Sequence, residues 1–459
     1  MSDNFDVIIV GGRVAGSTLA AHLAKQGVKV CVIERDDLKN EPVSSHNIYA
    51  NTIDRLVNQT GVDYAQLMSS HAPALSTLTM EIENDITATF PFPDPSYCIR
   101  RSVLDNAILD AARRAGAEIR LNTRVTGILD DGQRVTGVQT ADGEVRARIV
   151  VGADGVLSMV ARAVQTETWL DIPSERCCYF SYYRLAEGLP KDLAMFCFDD
   201  TPDRCGYLIF PTGNDQVLLG CFPLNAHIDK FKNDPDGALK AQLSSFARTA
   251  TYLKGEQTDR VYGRNKMPSF MRRSVGPGWA LVGDAGHFKD PVLAQGIGDA
   301  VHHGIKLSAA IKRSLDNPAS EQNIMDAWER DRDLESIDIL FMGVQMSRSA
   351  GPGAIVTQMM DDAMSDPKLL PVMGGIYQRT HSPADFFNPK TLMRAAIRAV
   401  LNKRAGMGTV FAEMKEGSKG QRELNKVIRQ IKSRPVRSWA LAKKTANINT
   451  NADVAPATL

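Results

Sequence analysis

The sequence predicts an α/β protein in three parts: a parallel β-sheet wrapped by helices, an antiparallel β-sheet inserted into it, and a helical C-terminal region. Three observations predict it. The first 35 residues read strand, glycine turn, helix, strand. Two more apolar strands, ending at Asp154-Gly155 and Gly283-Asp284, return to that pattern far downstream. Between them lie alternating aromatic runs, and after Lys306 the apolar spacing turns helical. At 459 residues the chain is long enough for two or three domains.

The first strand is the β-branched run Asp6 to Val10, DVIIV. Gly11, Gly12, Arg13, Ala15 and Gly16 follow at once, in the turn GGRVAG. Ser17 to Gln26 then sets Leu19 and Leu23 on one helical face, and Gly27 stops the helix. A second strand, Val28 to Ile33, ends in Glu34-Arg35. The acid falls roughly 20 positions after the glycines, the spacing of a Rossmann-like dinucleotide site. Glu34 is placed to take the adenosine ribose hydroxyls. An acid there disfavours a 2′-phosphate, so the bound nucleotide is FAD or NAD rather than NADP. Arg13 stands where the middle glycine of the fingerprint lets the backbone approach a pyrophosphate. Its side chain either points outward or pairs with the phosphates.

Ala147 to Val151 is another apolar strand, followed by GADGVLSMVAR, Gly152 to Arg162. Asp154-Gly155 makes a sharp turn there, and Ser158 is placed to cap a short helix. Tyr97 to Gly116 reads as a helix. Ser102 and Asp105 form its capping box, Gly116 its C-cap, and Val103, Ala107, Ile108, Ala111 and Ala115 its buried face. Arg100 and Arg101 precede it. Ala117 to Val125, AEIRLNTRV, reads as a strand. Trp279 to Ala300, WALVGDAGHFKDPVLAQGIGDA, is a strand ending in Gly283-Asp284, a loop with Pro291, and a helix start at Gly296, Ile297 and Gly298. The Asp284 carboxylate can accept from a ribose hydroxyl, and a helix N-terminus favours a nearby anion or electron-rich oxygen.

In this order, the glycine turn, the Arg101–Leu104 pair, the Asp154-Gly155 turn and the Gly283-Asp284 strand end resemble flavoprotein monooxygenases of the para-hydroxybenzoate hydroxylase type. The resemblance spans roughly residues 5 to 335. The same superfamily includes geranylgeranyl reductases and flavin halogenases. The resemblance implies one FAD. Asp284 would hold its ribityl chain, and the helix start at Gly296-Ile297, behind Pro291, would face the flavin ring. Asp154 would lie where flavin and pyridine nucleotide meet, Arg101 would contact the cofactor, and backbone at Val125 would meet adenine. Ser45-His46 resembles a Ser/Thr-His element found close to the isoalloxazine in one branch.

The activity this implies is monooxygenation. NADPH or NADH, without a Rossmann domain of its own, reduces the flavin. O2 then forms a flavin hydroperoxide that hydroxylates or epoxidises an apolar or aromatic small molecule. His46, His287 and Lys289 are the local acid–base candidates, although a lone histidine is more often a structural residue. Three other readings stay open: a geranylgeranyl-reductase-like enzyme acting on a prenyl or other alkene, a flavin halogenase, and a non-catalytic flavin-binding protein. The halogenase helix WxWxIP is missing, since Trp169, Trp279, Trp328 and Trp439 stand far apart.

The FAD-binding domain is expected to be discontinuous, over 1–75, 97–170 and 271–330, with inserts at 76–96 and 171–270. Helices are expected over 331–444 and a disordered tail over 445–459. Leu78, Met80 and Ile82 alternate with polar residues, as do Ile86, Ala88 and Phe90. Residues 174 to 225 are rich in aromatics and suit an antiparallel sheet with one face over a ligand. Tyr179, Tyr182, Phe196, Phe198, Tyr207 and Phe210 are candidate substrate contacts, and each also fits plain core.

Val400 to Leu459 holds 12 Lys/Arg against 4 Asp/Glu, in a chain whose total is +1. Leu424, Val427, Ile428 and Ile431 share one helical face there. Such a helix can lie on an anionic membrane surface or dock on the acidic body of its own chain. The balanced total charge argues against nucleic acid as a partner. No apolar run of about 18 residues predicts a transmembrane helix. The N-terminus does not read as a signal peptide, and the seven scattered cysteines show no metal-ligand spacing. Reduced thiols in a cytoplasmic protein are expected.

Overall fold

β1 (Asn4–Val10), α1 (Val14–Lys25) and β2 (Val30–Ile33) form the expected crossover. The computed structural model describes residues 4–44, 46–82, 86–198, 206–348, 352–435 and 439. β1 lies parallel between β2 and the strand Gly143–Gly152, with Ile8 opposite Cys31 and Val150. Trp279–Leu281 continues the parallel sheet beyond Gly143–Gly152, and Glu118–Arg120 beyond β2. Strands buried on both faces need near-continuous apolar sequence, which is why DVIIV and the later apolar runs sit here. All carboxyl ends of these strands point to one edge, where the motif residues follow them.

Two local expectations are corrected. Ala117 to Val125 is not one strand. Only Glu118–Arg120 pairs with β2, and a new strand, Val125–Asp130, starts antiparallel to Val135–Thr140. The chain bends because Glu34 N donates to Arg120 O and Thr123 N to Glu34 O, both at 2.9 Å, with Asn122 at φ +52° between them. The helix after Arg100 begins at Arg101 rather than after Ser102, and has no capping box. Glu41, from a loop far away in sequence, accepts from Arg101 N, Ser102 N and Ser102 Oγ instead. The helix, Arg101–Arg114, is capped at Ala115, and Gly116 follows at φ +102°.

The inserts build a second sheet in the order Tyr262–Arg264, Cys178–Arg184, Gln216–Phe222, Gly206–Gly213, Met195–Phe198, Leu75–Ile82, Ile86–Cys98, Asn47–Ile48. It is antiparallel except where Met195–Phe198 runs parallel to Leu75–Ile82. That exception is the seam between two insertions distant in sequence. Side chains alternate across this sheet. One face, with Phe90, Phe180, Tyr182, Phe196 and Phe210, shares a core with the Val292–Ala294 turn and the C-terminal helices. The other, with Tyr179, Cys197, Tyr207 and Cys221, is sealed by Phe231, Leu239, Leu243 and Phe246 from the helices after the strands. Cys177 and Cys178 point to opposite faces, and the six cysteines described are buried.

Among the described residues, six α-helices follow Pro318: Glu321–Met346, Gly353–Met364, Leu370–Tyr377, Pro383–Phe386, Pro389–Leu401 and Met407–Lys432. The face carrying Leu424, Val427, Ile428 and Ile431 packs against Ile337 of the Glu321–Met346 helix. Arg434, just beyond, pairs with Asp333 at 2.7 Å. Among the described residues no helix is long and apolar enough to cross a membrane. The expected disordered tail lies outside the described residues.

Candidate functional site

The glycine turn closes tightly on its neighbours. Gly11 sits at φ +106°, and a Cβ there would lie 2.5 Å from Ala153 O, so only glycine lets β1 and the Gly143–Gly152 strand end side by side. Gly16 packs on the Gly11 carbonyl. α1 starts after Arg13 with no side-chain cap, which leaves its first amides unclaimed by protein. Glu34 is buried at the end of β2 and accepts from Gly12 N at 2.7 Å and Asp36 N at 3.0 Å. The acid and the turn are thus tied together. Arg35 points away, largely exposed and paired with Asp36.

The alternatives for Arg13 resolve into a third. Its guanidinium pairs with buried Asp105 at 2.7 Å and donates to Asn40 O at 3.1 Å. Arg101 binds the same carboxylate through Nε at 2.9 Å. Asp105, assigned to a capping box from sequence, instead anchors two arginines at the mouth of the turn. Val125 packs against the core formed by Val10 and Ile33.

Asp154 ends its strand and turns back over the next helix. Its Oδ2 accepts from Met159 N at 2.6 Å and Val160 N at 3.2 Å, while Gly155 makes the turn at φ +78° and Ser158 caps Ala161 N. Its Oδ1 is buried with no hydrogen-bond partner among the described residues. Asp284 is half-buried and makes no hydrogen bond or ion pair with the described residues. Burial raises its carboxyl above the usual range, opposed by Arg264 and Arg101. Gly283 sits at φ +61°, and a Cβ there would lie 2.8 Å from the Ala15 Cβ, so glycine lets this turn approach the start of α1. Pro291 opens a short turn, Pro291–Leu293. The helix Gly296–Asp316 then begins with no side-chain cap. Its Gln295 donates elsewhere, to Leu293 O and Tyr377 O. Gly296 faces open space, while Ile297 is buried.

An orphaned carboxylate oxygen, a free carboxylate and two uncapped helix starts at one sheet edge fit a dinucleotide with its ribityl or ribose hydroxyls and phosphates. Gly11, Gly12, Glu34, Asp154, Asp284 and the Gly296-Ile297 amides would hold it.

The three acid–base candidates separate. Ser45 lies outside the described residues, but His46 is buried at φ +59°. Its Nε2 meets the Tyr182 hydroxyl, the two rings stack at 5.7 Å, and Nδ1 has no hydrogen-bond partner among the described residues. Burial first, then Arg101 and Arg100, hold its pKa well below the usual value, so it is neutral. His287 and Lys289 instead turn toward Asp299. Burial lowers His287 to about 4 and Lys289 to about 8. His287, Asp299 and His303 could offer three metal-ligand atoms, but Lys289 and Arg379 already neutralise that carboxylate. A further cation there would meet two fixed positive charges.

The substrate candidates divide by strand alternation. Tyr182, Phe196 and Phe210 lie on the face toward the Val292–Ala294 turn. Tyr179 and Tyr207 do not. Tyr179 stacks on Phe231 at 4.4 Å, and Tyr207 meets Phe246 edge-on while its hydroxyl donates to Glu81 at 3.1 Å. Phe198's side chain lies outside what is described. Residues the sequence did not single out complete the region. Arg100 lies 3.8 Å over the Tyr182 ring and pairs with Asp259 at 2.7 Å. Buried Asp290 has its carboxyl raised by burial to about 6, and it lines a cavity of about 260 Å³ with Met267, Ser269 and Ser347. An aspartate before a proline gives no sign of that in sequence.

Comparison with known proteins agrees with this geometry. A family model described as an FAD binding domain matches residues 4–336. A digeranylgeranylglycerophospholipid reductase from Methanosarcina acetivorans is 27% identical over 343 residues, 72% of this chain and 81% of that protein. Among solved structures, the flavin-dependent brominase Bmp2 superposes with TM-score 0.68 at 20% identity, over 87% of this chain and 100% of the other. PqsL, a probable FAD-dependent monooxygenase from Pseudomonas aeruginosa, gives 0.65 at 20% identity, over 75% and 96%. These structural likenesses are likenesses of fold. The family match spans well over half of the chain, so the protein belongs to the FAD-binding domain family, as an enzyme of the FAD-dependent oxidoreductase superfamily.

Proposed function

We propose that the protein is a monooxygenase that uses NADH or NADPH and O2 to hydroxylate or epoxidise an apolar or aromatic small molecule. The observation that carries this reading is the meeting of the aromatic inner sheet face with the Val292–Ala294 turn, immediately before the uncapped Gly296 helix start. When bound, FAD would supply the redox chemistry. One oxygen atom enters the substrate, the other leaves as water, and the nicotinamide nucleotide provides two electrons. The chain's own part is narrower. The Gly296 and Ile297 amides favour negative charge beside them. Phe180, Phe196 and Phe210 exclude water from the substrate side. His46, neutral and held in a left-handed backbone conformation, offers an unpartnered Nδ1 for a proton, while its Nε2 is fixed by Tyr182.

A second reading has its own support in the name of the Methanosarcina relative. An alkene reductase would add a hydride and a proton across a carbon–carbon double bond and consume no O2. Anaerobic absorbance spectra of the flavin-loaded protein with NADH or NADPH, followed by air and candidate substrates, separate the two. Bleaching, then substrate-accelerated O2 consumption with an oxygenated product, is expected. Turnover of an alkene to the saturated product without O2 would overturn monooxygenation in favour of reduction. No bleaching under any condition would overturn both.

A further inference from the structure

The basic C-terminal region divides into a docked half and an unpartnered one. From Leu424 onward its apolar face is covered by the Glu321–Met346 helix. Upstream, the helices Pro389–Leu401 and Met407–Lys432 form a hairpin whose tip is apolar and uncovered. Leu401 is 72% exposed, Met407 77% and Phe411 71%, with Met393 and Ile397 half exposed. Met393, Ile397 and Leu401 follow one another at helical spacing opposite the buried Ala395 and Ala399. Met407, Phe411 and Met414 make a second row beside buried Val410. Exposed apolar side chains gathered in this way mark an interaction surface.

Charge indicates the partner. Residues 389–419 carry seven Lys/Arg and two Asp/Glu. Both acids are already paired: Glu413 caps Ala354 N and Ile355 N, and the exposed Glu416 pairs with Arg348. Arg394, Arg398 and Arg404 are held by Asp361 and Asp362. The ammonium groups of Lys390, Lys403, Lys415 and Lys419 have no ion pair with any described residue. An apolar tip that carries the unpaired Lys403, with Lys390, Lys415 and Lys419 farther along the same two helices, is complementary to an anionic lipid surface. A second copy of the chain would set these lysines against themselves across a two-fold axis. Residues 440–459, with two lysines and one aspartate, offer no complementary charge.

We propose that this hairpin docks the protein on an anionic bilayer. Leu401, Met407 and Phe411 enter the headgroup boundary, and the lysines hold lipid phosphates. The surface does not depend on which reaction the cofactor cleft performs. The test is co-sedimentation of the full flavin-loaded chain with vesicles of phosphatidylcholine alone or mixed with phosphatidylglycerol. Binding is expected to the mixed vesicles and to weaken with salt. Leu401→Glu with Phe411→Glu should lower partitioning about tenfold or more. Lys403→Gln or Lys415→Gln should each lower it about fivefold. Flavin content and thermal midpoint should be unchanged, and Leu401→Ser with Phe411→Ser repeats the test should the acidic pair disturb folding. No binding by the wild type, equal binding to both vesicle types, or undiminished binding by both double variants would overturn the proposal. A concentration-dependent wild-type dimer that the double variant dissociates would overturn it in favour of a second copy.

Discussion

Asp284 and Asp299 stand on either side of the same helix start and are treated oppositely by the fold. Asp284 closes an apolar strand and has no hydrogen-bond or ion-pair partner among the described residues. Asp299, in the first turn of the helix, meets Lys289 and is 2.7 Å from Arg379, with His287 and His303 at 3.7 and 3.9 Å. Burial raises the first carboxyl. Burial works against the second as well, but Arg379 and Lys289 hold it well below the usual range. The difference teaches where to look for function. A saturated buried charge belongs to the fold, whereas an unclaimed one at the end of a sheet is available to a ligand.

The largest test replaces each in turn. Asp299→Ala would leave Lys289 and Arg379 without their counter-charge, and should lower unfolding free energy in urea by about 3–5 kcal/mol. Asp284→Ala should leave the urea midpoint of the flavin-free protein unchanged or higher, and should release FAD on gel filtration. If both variants failed in the same way, the contrast would be empty.

The pH response sharpens it. His287 titrates near 4 in the folded state against an ordinary 6.5. Above about 6.5 it is neutral in both states. As pH falls toward 4 the unfolded chain takes a proton that the folded one refuses, so stability is lost, by up to about 3 kcal/mol. Equilibrium unfolding at a series of pH values should show this slope, and His287→Asn should flatten it.

A smaller pair compares the two sheet faces. Tyr207→Phe removes the hydroxyl bond to Glu81, which keeps Arg248 at 3.1 Å. It should cost about 1 kcal/mol of stability and leave turnover alone. Tyr182→Phe frees His46 Nε2, and should shift the pH profile of turnover more than it moves the melting temperature. Equal effects on turnover would show that the faces are not functionally distinct.

The smallest effect is expected at Arg13. Arg13→Gly leaves Asp105 still paired with Arg101, so a loss of about 1 kcal/mol or less is expected, with FAD retained. Loss of FAD by that variant would mean that Arg13 leaves Asp105 for the phosphates when the cofactor binds.

Much of the local structure along this sheet edge was legible in the chain because it is set by near neighbours. A glycine turn, a helix start and a strand-end acid are each set within a few residues, as at Gly11, Asp154 and Gly296. The failures were long-range. Nothing near Ser102 announces that Glu41 caps the helix, and nothing in Asp105 announces two arginines. Strand alternation put Tyr179 and Tyr182 on opposite faces without saying which one would meet the Val292–Ala294 turn. The apolar stripe at Leu424 to Ile431 suited an anionic membrane surface or, better, the acidic body of its own chain, and it packs against Ile337 of that chain.

By itself, then, the sequence determined the crossover around β1, the strand-end acids and the presence of a two-faced aromatic sheet, since backbone sterics and hydrophobic period act between neighbours in the chain. The tertiary structure alone decided which carboxylates were saturated and which left free, which sheet face looked toward the helix start, and which part of the basic hairpin stayed uncovered. Those outcomes depend on Coulomb and packing contacts between residues tens to hundreds of positions apart, and a one-dimensional pattern does not carry that distance.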